Sequence, residues 1–130
     1  MNKRTATTAR AARAAAAPSV RFRLRVTVAD VIAFGPGKIA LLEAVRDCGS
    51  ISAGARSLGM SYRRAWVLLQ EINTAMRSPA VLSEHGGEHG GGSVLTPEGE
   101  AAVRLYRAIE KKAAAACARD IAALLGLLAQ

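Results

Sequence analysis

Ser61-Tyr62-Arg63-Arg64 sets a hydroxyl, a phenol and two guanidinium groups side by side, and no acid occurs between Asp47 and Glu71. If Ser61 caps a helix, this cluster stands on its first turn, where free backbone N–H groups and the positive end of the dipole also favour an anion. Guanidinium forks match phosphate oxygens and guanine edges. Double-stranded DNA is the anion this arrangement suits, because its major groove admits one α-helix and is read by the side chains near that helix's N-terminus. The candidate groove residues are Ser61, Arg63, Arg64 and Val67, with Tyr62 and Arg56 near the phosphate backbone.

Two helices and a tight turn must hold that cluster in place. Ser52 is placed to cap a short helix with Ala55 and Leu58 facing inward, Gly59 to end it, and Ser61 to open the next. The second helix is predicted from about Tyr62 to Arg77, with Tyr62, Ala65, Trp66, Leu69, Ile72 and Met76 as its inward stripe. The opposite face carries Arg63, Val67, Gln70 and Thr74. On spacing alone Trp66 belongs to the core, while Tyr62 packs its ring inward with its hydroxyl near a phosphate.

Around this helix-turn-helix the pattern changes period. Val20, Phe22, Leu24, Val26 and Val28 alternate with Arg21, Arg23, Arg25 and Thr27, predicting a half-buried strand whose arginines line a solvated face. Ile39, Leu42 and Val45 repeat at helical spacing after Gly35-Pro36-Gly37, predicting a helix over 37–47. Past Pro79, two β-prone pieces, Ala80 to Glu84 and Ser93 to Thr96, bracket a glycine-rich stretch over 85–92. With the first strand they predict a three-stranded antiparallel sheet and a wing whose Gly90, Gly91 and Gly92 press against a phosphodiester. A loop without that contact has the same composition. Thr96-Pro97-Glu98 starts a last helix running to Leu128, roughly 45 Å at 1.5 Å per residue. Its Val103, Leu105, Tyr106, Ile109, Ile121, Leu124, Leu125 and Leu128 exceed what a small core covers, predicting a partner helix from a second subunit, a homodimer.

Composition sets the outer bounds. The chain has 130 residues, 51% of them hydrophobic, and a formal net charge of +8. Lys3, Arg4, Arg10, Arg13, Arg21, Arg23 and Arg25 all precede the first acid, Asp30. Residues 1–18 read as a disordered basic tail, whose Arg, Ala and Thr content also fits an organellar transit peptide. Cys48 and Cys117 are too few for a disulfide framework, which favours a reducing, cytoplasmic setting, and no apolar run reaches bilayer length. His85 and His89 sit among glycines that hold no ligand geometry, so no metal is expected. Glu84 and Glu88 lack the buried surroundings of acid–base catalysis. No nucleophile elbow, P-loop or dinucleotide fingerprint occurs, so neither an enzyme nor a bound cofactor is expected.

The joint pattern Gly49-Ser50-Ile51-Ser52, Gly59-Met60-Ser61-Tyr62, Ala65-Trp66, Glu71-Ile72-Asn73, the glycine-rich wing and Val94-Leu95-Thr96 resembles the N-terminal DNA-binding domain of the ModE family of bacterial molybdate-responsive regulators. The resemblance covers residues 20 to 128. It implies a mainly α winged helix-turn-helix over 19–130, dimerising through its first and last helices (the last over 97–128), with Ser61, Tyr62, Arg63 and Arg64 at the DNA. Such regulators also carry C-terminal oxyanion-binding domains with a Ser-Ala-Arg-Asn motif that is absent from these 130 residues, so no molybdate site is expected in this chain. The alternative reading is a winged helix used as a protein-interaction module, its basic helix meeting an acidic surface.

Overall fold

The computed structural model describes residues 16–83 and 92–129. Its chain contacts divide it into two units, one of residues 23–110 and one formed by residues 1–22 with 111–130. The architecture is mainly α with small antiparallel strand pairs, a winged-helix-like fold.

The first unit opens with a hairpin of β1 (Val26–Val28) and β2 (Val31–Phe34). Val28 faces Val31 across Ala29-Asp30, and Ala29 has a φ of 53°, a left-handed conformation that costs an L-residue about 1–2 kcal/mol. The expected strand over Val20 to Val28 is thereby corrected: residues 16–25 carry no strand, and the chain turns back where the sequence offers no glycine or asparagine. Leu24 still packs against the core, and its carbonyl accepts a 2.7 Å bond from the Tyr106 hydroxyl. Burial, reinforced by the nearby Glu110 charge and opposed by Arg107, raises that phenol above its ordinary value, so it stays a donor through the neutral range.

Helix α1 (Pro36–Cys48) follows, with Pro36 in its first turn and Gly49 closing it at a φ of 80°. It supplies Ile39, Leu41, Leu42 and Val45, all fully buried, around which α2 (Ile51–Ser57) and α3 (Tyr62–Ala75) pack. The wing strands β3 (Val81–Ser83) and β4 (Ser93–Leu95) form a second pair, with Val81 opposite Leu95. The hairpin and the wing are two separate two-stranded sheets rather than one three-stranded sheet, because β1 spends its pairing on β2.

Asn73 fixes where the chain leaves α3. Its side-chain oxygen accepts from the Ala80 and Val81 N–H groups at 2.8 and 3.3 Å. Thr96 locks the other end: its hydroxyl donates to the Pro79 carbonyl at 2.7 Å and accepts from the Gly99 N–H at 3.0 Å, as its expected capping role requires.

Helix α4 (Pro97–Ala116) contributes Val103 and Tyr106 to the core. Arg107 clamps it to α1 through Glu43 at 2.5 Å and pairs within the helix with Glu110 at 2.7 Å; both bonds raise its pKa. The last helix is not continuous to Leu128 as expected. It breaks at Cys117 and resumes as α5 (Ala118–Leu125), although the Cys117 and Ile121 N–H groups keep helical bonds to Ala113 and Cys117. Among the described residues no helix is long and apolar enough to cross a membrane.

Candidate nucleic-acid interface

The turn between α2 and α3 is built by backbone bonds. The Leu58 and Met60 N–H groups both reach the Ala55 carbonyl, at 3.1 and 3.0 Å, while Gly59 takes a φ of 68° that an L-side chain rarely adopts. The cap of α2 is Ser50 rather than Ser52: the Ala53 N–H donates to Ser50 Oγ at 3.1 Å, and Ser52 is an exposed helical residue. Ala55 is buried as expected, but Leu58 is exposed. Gly54 comes so close to α1 that a Cβ there would stand 3.0 Å from the Val45 nitrogen, and this contact sets how α2 lies on α1.

Ser61 caps α3 as its sequence predicts, accepting from the Arg64 N–H at 3.1 Å. The helix runs to Ala75, two residues short of Arg77, and buries Ala65, Leu69 and Ile72. Ser61, Arg63 and Arg64 are exposed on its first turn, and Arg56 is exposed on α2. Among the described residues none of these three arginines pairs with an acid. Among those residues, then, nothing neutralises their charge.

Two residues of the expected inward stripe are not in the core. Tyr62 is 54% exposed and Trp66 47% exposed. Trp66 is rotated off the buried line through Ala65, Leu69 and Ile72, whereas Tyr62, seven residues before Leu69, shares that face but stands at the first residue of the helix, ahead of its buried part. Val67 is also exposed, on the stripe of Arg63, Gln70 and Thr74.

Two features escaped the sequence. Val28 and Val31, at the hairpin tip, line a hollow with Trp66 and Val67 of α3. Lys38, buried on α1, bonds the Ile32 carbonyl and pairs with Glu71 of α3 at 3.6 Å, tying hairpin, α1 and α3 together. A lysine beside Ile39, Leu41 and Leu42 was the available signal for that tie.

At the wing, the Ser93 N–H donates to the Gly49 carbonyl at 3.0 Å, and the Ser83 and Ser93 hydroxyls meet at 2.9 Å, so the strand bases are anchored beside the end of α1. Gly92 is exposed at that base. Gly90, Gly91, His85, His89, Glu84 and Glu88 lie outside the described residues, as does most of the 1–18 tail. Among the described residues no group of acids, histidines and cysteines could hold a metal.

The site is thus a helix-turn-helix whose basic first turn has no acid partner among the described residues, beside a strand pair. No family model matches the chain. It is 47% identical over 76 residues to the molybdenum-pterin-binding protein MopB of Rhodobacter capsulatus, an alignment covering 58% of this chain and 28% of MopB. The DNA-binding transcriptional dual regulator ModE of Escherichia coli is 41% identical over 71 residues, 55% of this chain and 27% of that protein. The molybdenum transport protein ModE of Azotobacter vinelandii is 37% identical over 94 residues, 71% of this chain and 35% of that protein. The chain is homologous to the ModE and MopB proteins. It spans about a third or less of the length of each. These ModE and MopB names denote regulation, molybdenum transport and molybdenum-pterin binding, and none denotes an enzyme.

Proposed function

We propose that the chain is a DNA-binding member of the ModE family, a cytoplasmic bacterial transcriptional regulator that acts as a dimer. The observation that carries this reading is the first turn of α3, where a Ser61 cap presents Arg63 and Arg64 to solvent with no acid paired to either among the described residues. Ser61, Arg63, Arg64 and Val67 enter the major groove, Arg56 and the exposed Tyr62 stand by the backbone, and the wing over 85–92 lies along the phosphates. No residue of this chain is assigned to molybdate, to a cofactor or to catalysis.

The proposed dimer rests on apolar surface left uncovered. Leu105 and Ile109 of α4 are more than half exposed and line a groove of about 340 Å³ with Leu24, Phe34 and Met76. Leu124 of α5 is exposed as well. A second copy laid against the α4 groove removes it from water, at about 25 cal/mol per Å² of apolar area.

Sedimentation velocity of the whole chain with a labelled duplex tests both statements at once. At micromolar concentration the free protein sediments as a dimer. The complex with duplex weakens on added salt with a slope of log K against log salt on the order of −5, as about six phosphate contacts require. A monomer whose DNA binding is absent or indifferent to salt contradicts the proposal.

A further inference from the structure

An apolar trough of about 400 Å³ runs along the outer face of α3. Helical periodicity puts Val67 and Thr74, seven residues apart, on its floor, and Trp66 and Gln70, four apart, along one side. Val28 and Val31, at the tip of the hairpin, line it too, as do Ala75 and Glu71, whose carboxylate pairs with Lys38. Val28, Val31, Trp66 and Val67 are between 41% and 54% exposed, so the core does not satisfy this surface.

The trough is continuous with the proposed DNA-reading surface, since Arg63, Val67, Gln70 and Thr74 succeed one another on one face of the helix. An occupant must therefore present a small apolar group within an anionic, hydrogen-bonding surface. The thymine 5-methyl group is what the major groove displays of that kind, and it stands beside the adenine N6 and N7 atoms that a glutamine amide matches. We infer that Val67, backed by Trp66 and the hairpin valines Val28 and Val31, reads thymine methyl groups, with Gln70 facing the paired adenine. This rests on the DNA-binding reading above, and makes the hairpin a part of the specificity apparatus: its valines keep water from the methyl contact.

Deoxyuridine substitution isolates the methyl. In a duplex carrying the chain's selected site, each thymine is replaced singly by deoxyuridine and affinity is measured with the whole chain, for the parent and for Val67→Ser. The parent loses about three- to five-fold at one or two positions per half-site, the worth of one buried methyl. Val67→Ser binds the thymine duplex weakly and is indifferent to uracil at those positions, while its unfolding temperature matches the parent because residue 67 is exposed. Val31→Ser reduces the same uracil effect. Uracil tolerated at every position, with Arg63→Ala still weakening binding, overturns the methyl reading and leaves DNA recognition standing; the trough is then free for an apolar protein segment. A uracil effect unchanged in Val67→Ser overturns it too, by placing the methyl elsewhere. A chain that selects no duplex removes both readings together.

Discussion

Replacing Arg63 by alanine weakens binding to the specific duplex about 5- to 150-fold, or about 1–3 kcal/mol, and leaves the unfolding temperature where it was. The two halves of this result have separate causes. Arg63 is exposed on the side of α3 away from Ala65, Leu69 and Ile72, and it makes no ion pair among the described residues, so its loss removes nothing the fold uses. Its guanidinium stands on the first turn, which a helix laid in the groove brings nearest the base edges. Arg64→Ala costs affinity in the same range. Arg64 is exposed on the same first turn, so its loss, like that of Arg63, relaxes specificity as well as affinity. Fluorescence anisotropy against specific and unrelated duplexes, with a thermal melt of each variant, provides the readout. Two arginine variants that bind as the parent does would remove α3 as the reader.

Gly99→Ala destabilises the protein by about 3 kcal/mol without touching the basic surface. A Cβ at position 99 would stand 2.2 Å from the Ala80 carbonyl oxygen, 3.0 Å from its carbon and 3.1 Å from its Cα. Every one of those atoms is backbone, and the segment is pinned from both sides. Asn73 holds the Ala80 and Val81 N–H groups, the Thr96 N–H donates to the Ala80 carbonyl at 2.9 Å, and the Thr96 hydroxyl holds the Pro79 carbonyl. No flexible side chain can yield, so α4 must lift from β3 or the joint must open. The unfolding midpoint falls by on the order of 10 °C or more for a domain of this size. Calorimetry measures it, and a melt within a degree or two of the parent contradicts the packing described for this joint.

How far the site was legible follows from which interactions are local. Ser61, Gly59 and the α3 register were readable because capping and left-handed glycine turns are decided within four or five residues. The Thr96 cap was readable for the same reason. Ser50 was missed in favour of Ser52 because each offers a hydroxyl at a short apolar helix, and only the tight packing of Gly54 on α1 decides the register. Trp66 was misplaced because spacing gives a helix face but not the width of the core beneath it. The Val20–Val28 alternation hid a hairpin because its turn, Ala29-Asp30, uses an alanine at positive φ that no turn preference announces. The Lys38 tie and the hollow beside Trp66 are tertiary, bringing together residues from the hairpin, α1 and α3.

Whether the first turn of α3 reads duplex DNA in a dimer is decided by selecting from a random duplex pool with the whole purified chain at physiological salt, then footprinting the enriched duplex. One enriched motif is expected, of two related half-sites whose centres lie about one helical turn apart or a multiple of it, protected in successive major grooves, with no enrichment when Arg63 and Arg64 are both alanine. A pool that stays random while protein and DNA still associate, or an enrichment that survives the double substitution, would contradict it.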